Sequence, residues 1–192
     1  HAKRQVKTME DLKGLKLRFP TRLAGEALKA LGASPIGMPV PQVPESLAQG
    51  VIDGAVIPWE VVPSIKVHEL VKYHTEIPGS PTFYTATFML AMNRAKYEGL
   101  PDDLRKVLDE QSGMALATEA GKMFDDVGAE ISEMVKKRGN IISAISEQEK
   151  ARWIEATKPV IDNWIKEIEA RNIDGAKLLE SAKASLAKFE QA

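Results

Sequence analysis

Apolar and polar positions alternate with a period of two over residues 15–19, where Leu15, Leu17 and Phe19 are separated by Lys16 and Arg18. This predicts a short strand with Arg18 near its carboxyl end. Pro20 stops the strand, and Thr21 is placed to cap a helix whose apolar face uses Leu23, Ala24, Ala27, Leu28 and Leu31, with Gly32 ending it. The same unit follows twice more. Residues 34–40 predict a second strand, and residues 41–49 a short helix that Pro44 enters near its first turn, ended by Gly50. Residues 51–58 hold an apolar run suited to a strand buried on both faces, and the helix after it carries Val61, Val62, Ile65 and Leu70. Residues 73–77 and the longer stretch 83–93 predict two further strands.

From Pro101 the period changes. Leu104, Val107, Leu108, Met114, Phe124, Val127, Ile131 and Val135 keep helical spacing up to Arg138, which predicts one helix. At 1.5 Å per residue that helix would be about 57 Å long, more than the width of the α/β unit before it. Part of it is therefore expected to lean on another lobe. Residues 141–144 predict a strand. Ser146 with Glu149 reads as a capping box opening a helix with Trp153, Ile154, Val160, Ile161, Trp164 and Ile168, and a final helix is expected from Asp174. The class is α/β.

Composition narrows the function. With 44% hydrophobic residues over 192 positions the chain can build a core, and nothing in it marks disorder. A net charge of −1, without a basic patch interleaved with aromatics, argues against a nucleic-acid surface. No apolar run approaches a membrane span, and the lack of cysteine fits either redox compartment. There is no nucleophile elbow, glycine-rich phosphate loop or CxxC pair, so catalysis has no visible carrier and no cofactor is expected. His68 and His74 do not share one helix face and have no carboxylate cluster beside them. They are expected to be a surface or capping pair, not metal ligands.

Arg18 carries the main chemical signal. A guanidinium presents a rigid fork to a carboxylate, and ligands of open α/β sheets bind at the carboxyl ends of strands. The bland alternative is an arginine paired with an acid of its own fold. Arg22, in the first turn of the next helix, either faces the cleft or is solvated and paired. Trp59 offers a flat face for stacking, or packs in the core. Glu60 accepts from a solute hydroxyl, or caps its helix.

Four ordered segments carry a family resemblance: DLKGLKLRFP, LGASPIGMPVPQVPESLAQGVIDGAVIPWE, KVHELVKYHTEIP and MNRAKYEGLPDDLRKVLDEQSG. The chain resembles the C-terminal part of a DctP-type solute-binding protein, the extracytoplasmic receptor of tripartite ATP-independent periplasmic (TRAP) transporters. The resemblance implies a periplasmic-binding-protein-like, type II-like two-lobe fold that encloses a solute between its lobes. Residues 1–80 would then be an α/β ligand-binding lobe, 81–139 a crossing strand and long interlobe helix, and 140–192 a C-terminal strand and helices packing on the lobes, with the N-terminal lobe missing. By the same match Arg18 is the carboxylate-binding arginine. Ile57 stands where sugar-acid and dicarboxylate receptors often carry asparagine, which makes that wall apolar. Val40 stands where sialic-acid receptors carry an aromatic residue, which leaves room for a bulky group. Phe83 and Tyr84 open the crossing strand, where family members often touch the solute.

The implied function is binding, not catalysis. The chain would capture a small organic carboxylate, best an aromatic monocarboxylate or aryl-2-oxo acid, and deliver it to the TRAP membrane permease, driven there by an ion gradient. The expected location is the periplasm, with a signal peptide on the full precursor. A C4-dicarboxylate or other 2-oxo acid is the alternative within the class. An enzyme using Glu60 or Asp53 beside Arg18, or a sensor domain on the same fold, is the alternative outside it.

Overall fold

In a computed structural model that describes residues 1–188, β1 (Lys16–Phe19) lies between β2 (Ser34–Gly37) and β3 (Gly54–Ala55), all three parallel. β4 (Tyr73–Glu76) and β5 (Ile141–Ala144) form a second parallel ladder that starts at Tyr73 opposite Ile141. The two ladders meet at Ala2, which bridges Gly54 on one side and Tyr73 on the other, antiparallel to both. Its N–H donates to the Tyr73 carbonyl at 2.8 Å, and the Tyr73 N–H returns a bond of 3.1 Å. Gly54 allows this approach, because a Cβ there would fall 2.5 Å from the His1 carbonyl oxygen.

Helices cover both faces. After β1, α1 (Arg22–Ala30) starts at Thr21, whose hydroxyl accepts from the Ala24 N–H, and ends before Gly32, which takes φ +91°. A 3-10 turn, Val40–Gln42, leads into α2 (Val43–Ala48), with Pro44 in the first turn as expected. The helix foreseen after Trp59 is two short ones, α3 (Val61–Ser64) and α4 (Val67–Leu70), separated by Lys66 in a left-handed conformation. On one side of the sheet Val43, Leu47, Ile52, Val62, Val67 and Val135 are packed together with no or almost no exposure. On the other, Leu12, Leu15, Leu17, Leu28, Leu31 and Trp153 form a second layer. Each such side chain removed from water contributes roughly 1.5–3 kcal/mol, which holds a small sheet between two helical layers.

The chain departs from expectation in three further places. Residues 83–93 are not a strand among the described residues. No other strand runs beside them to take their backbone groups, and Phe88, Met89 and Leu90 are exposed. The single helix foreseen over 101–138 is broken. α5 (Arg94–Glu98) and α6 (Asp102–Glu110) precede Gly113, which adopts φ +63°, and α7 (Met114–Lys137) starts after it. Hydrophobic spacing continues across that break, so the period alone hid it. The third strand shrinks to two ladder residues within the apolar run.

α8 (Glu147–Glu169) starts at Ser146, whose hydroxyl accepts from the Glu149 N–H at 3.1 Å. The box is only half closed, since the Glu149 carboxylate turns inward. There it accepts from the Met9 N–H at 2.6 Å, the Trp153 indole at 2.9 Å and Arg152 at 2.7 Å. Lys150, also buried, donates to the carbonyls of Pro78 and Ser80. α9 (Gly175–Ala187) begins at the Asp174 cap and packs on α8.

Candidate functional site

β1 delivers Arg18 to the carboxyl edge of the sheet, where its whole residue is 6% exposed. Its Nε donates to the Met38 carbonyl and its Nη1 to the Val56 carbonyl, both at 3.1 Å. These bonds tie the guanidinium to the two loops that follow β2 and β3. Among the described residues Arg18 forms no ion pair with an acid. Burial lowers its pKa, and the neighbouring Tyr84 counteracts that. An arginine retains its proton through such a shift, so the site holds a cation that no acidic side chain among the described residues pairs with.

Beside it the loop after β3 builds an apolar wall. Ile57 is buried in the core layer, and its carbonyl lies 3.0 Å from Nε2 of His1. Trp59 is held on several sides: its indole N–H donates to Glu76 on β4 at 3.0 Å, and its ring packs against the rings of His1, at 4.9 Å, and His74, at 5.3 Å. Ile57, Trp59, Phe83 and Tyr84 line a cavity of about 420 Å³ that extends inward to Trp153, within the size range of small-molecule sites. Phe83 meets Trp153 edge to face at 6.2 Å. A second cavity, about 580 Å³, is lined by Trp59, Glu60 and Tyr84 together with Glu76, Phe124 and Asp125. Tyr84 belongs to both.

The Tyr84 hydroxyl is buried without a hydrogen-bond partner. Burial pushes its pKa up to about 12, with Glu60 adding to the rise and Arg18 opposing it, so the phenol keeps its proton at neutral pH. Two expected ligand contacts fall outside this arrangement. Arg22 is exposed and engaged by Glu26 and, through two bonds, by Glu167 of α8, the paired alternative foreseen for it. Val40 sits half-buried in the 3-10 turn and lines neither cavity. Arg18 itself also lies outside both linings, near enough to Tyr84 for the two groups to interact electrostatically.

The histidines overturn their expectation. Both are buried, His74 completely. His74 points inward from β4, its Nδ1 2.6 Å from Nδ1 of His1 and its Nε2 2.9 Å from the Asn140 amide. Burial, chiefly, lowers its pKa to about 4, so at neutral pH it is an uncharged prop behind Trp59. The period of two in 73–77 places His74 on the opposite face from Tyr73 and Thr75, which was the signal for its burial. Among the described residues no group of three or more His, Cys, Asp or Glu is arranged to hold a metal, and no helix is long and apolar enough to cross a membrane.

The family model for bacterial extracellular solute-binding proteins, family 7 (DctP), matches residues 1–167. The chain belongs to this family. Among curated DctP-family relatives, it is 31% identical over 186 residues to the 2,3-diketo-L-gulonate-binding periplasmic protein of Escherichia coli, covering 92% of this chain and 51% of that one. It is 29% identical over 171 residues to the C4-dicarboxylate-binding periplasmic protein of Rhodobacter capsulatus, covering 88% of this chain and 50% of that one. The chain thus spans about half the length of the curated relatives it matches. A TRAP solute-binding protein from Rhodoferax ferrireducens, solved with copurified benzoate, superposes with a TM-score of 0.95 at 43% identity, covering 100% of this chain and 60% of that one. A marine metagenome TRAP protein specific for aromatic acid ligands, solved with 3-hydroxybenzoate, gives 0.94 at 42% identity, covering 98% and 59%. The fold is that of TRAP periplasmic binding proteins.

Proposed function

We propose that this chain forms the arginine-bearing part of a periplasmic TRAP receptor that captures an aromatic monocarboxylate and hands it to a membrane permease. The observation that carries the reading is Arg18, a nearly buried cation oriented by two backbone carbonyls and paired with no acid among the described residues. A carboxylate from solution supplies the missing charge. Ile57, Trp59 and Phe83 supply the apolar walls, with Trp59 fixed in place by Glu76 for contact with a planar ring. The benzoate and 3-hydroxybenzoate held by two proteins more than 40% identical to this chain support the same class of solute. Release to the permease follows a population shift, in which solute contacts favour a closed receptor that the permease reads. The reading assigns the site no bond-making step.

A thermal-shift screen of the full receptor, freed of carried-over solute, tests this. Its panel holds benzoates, phenylacetates, C4-dicarboxylates, sugar acids and neutral aromatics. A bound acid at 100 times its dissociation constant adds about 2.7 kcal/mol of stability. Stabilisation by aromatic monocarboxylates is expected. A response confined to dicarboxylates or sugar acids overturns the proposed solute, and silence to every carboxylate overturns the receptor reading.

A further inference from the structure

We propose that Glu60, which lines the second cavity together with Tyr84, makes the site a charge filter that admits acids with one carboxylate and rejects those with two. This rests on the reading of Arg18 as the carboxylate anchor. Three observations carry it. The first is proximity: Glu60 and Tyr84 line the same cavity, and the Tyr84 hydroxyl lies near enough to both Glu60 and Arg18 to feel their opposite charges. The second is the hydroxyl itself, buried and without a partner. A buried polar atom left unpaired is uncommon and costly, and a donor beside Arg18 is satisfied by the oxygen of an arriving carboxylate.

The third is the larger cavity beyond Tyr84. Among the described residues Glu60, Glu76 and Asp125 line it, and no lysine, arginine or histidine does. Glu76 is partly committed, since it accepts from Trp59 and feels Lys136. Glu60 accepts no hydrogen bond and joins no ion pair among the described residues, so its charge is fully available to whatever enters. The far end of a ligand anchored on Arg18 therefore meets acceptors and negative charge. A hydroxyl there donates to Glu60, whereas a second carboxylate is repelled and finds no cation among the described lining residues.

Calorimetric titration of the full receptor, stripped of bound acid, compares benzoate, 3-hydroxybenzoate, benzene-1,3-dicarboxylate and the monomethyl ester of that diacid. The ester matches the diacid in bulk but carries one charge, so the pair separates repulsion from size without any mutation. The diacid is expected to bind at least about 30-fold more weakly than its ester, the scale of a like charge a few ångströms away in a partly dry site. Glu60→Gln should shrink that ratio about tenfold and remove any advantage of the hydroxyl. Equal binding of diacid and ester by the wild type overturns the filter, as does a ratio untouched by Glu60→Gln in a variant that still binds benzoate. Failure of every aromatic monocarboxylate to bind the wild type overturns the solute reading and the filter with it. Binding of benzoate with no discrimination overturns the filter alone.

Discussion

Replacing Arg18 with methionine separates what this residue does for the solute from what it does for the fold. In the folded chain the side chain makes two charge-assisted bonds, to the carbonyls of Met38 and Val56. Each is worth roughly 1.5–3 kcal/mol when formed to a charged group. Against that stands the cost of burying the guanidinium of a residue only 6% exposed with no ion-pair partner among the described residues, which reaches several kcal/mol for a buried ion. The two contributions are of similar size and opposite sign, and methionine fills most of the vacated volume. Arg18→Met should therefore leave the stability of the ligand-free protein within about 2 kcal/mol of wild type, and an increase is as consistent with this balance as a small loss. Binding has no such compensation. Losing the partner of a desolvated carboxylate costs about 2–5 kcal/mol, roughly 30-fold to several-thousand-fold in Kd. Urea denaturation of the stripped protein measures the first quantity, and calorimetry with benzoate the second. A variant destabilised by more than about 3 kcal/mol that still binds benzoate like the wild type would refute the reasoning, for Arg18 would then be a structural residue.

Other sites respond in ways that the same methods detect. Glu149→Ala strands the Met9 N–H and the Trp153 indole and should cost about 3–5 kcal/mol, whereas Glu149→Gln keeps the oxygen that accepts both and should cost about 1; equal losses in urea denaturation would contradict the hydrogen-bond account. His74 titrates near 4 in the folded state and near 6.5 unfolded, so as pH falls the unfolded chain takes up the proton first. Stability should then drop between pH 6.5 and about 4, by on the order of 3 kcal/mol, and level off below; a His74→Gln variant with the same slope as wild type would exclude this origin. Gly54→Ala drives a methyl group against the His1 carbonyl and the side chains of Ala2 and Leu17, and should lower the unfolding free energy by roughly 1–3 kcal/mol and the denaturation midpoint with it, so an unchanged midpoint would argue against that close contact.

The βα succession was legible because its signals are local. Thr21 as a cap, Gly32 as a terminator and the alternation around Leu17 act within a few residues, and the structure reproduces each. What escaped depends on neighbours in space. Residues 83–93 have the composition of a strand, but strandedness needs a partner, and no strand among the described residues lies beside them. Gly113 breaks the long helix without disturbing its hydrophobic period, so the backbone conformation had to be seen. At the site, Arg18 was readable from its place at a strand end. The enclosure of Trp59 by His1, His74 and Glu76 was not, because it joins side chains from three separate segments. Arg22 shows the same limit from the other direction: its partner Glu167 is 145 positions away.

The parallel pairing of β4 with β5 also sets the order in which the chain acquires its structure. Tyr73 and its neighbours cannot complete their ladder until Ile141–Ala144 is available, and the intervening α5, α6 and α7 form part of the closed loop. Bringing together strands some 70 residues apart costs on the order of 4 kcal/mol of chain entropy before any ladder bond repays it. The β1–β2–β3 unit, made of near neighbours, can assemble early, and the edge carrying His74 must wait. Folding of this segment is thus governed by a late, long-range docking event, which places its rate with topologically complex domains and not with helical bundles.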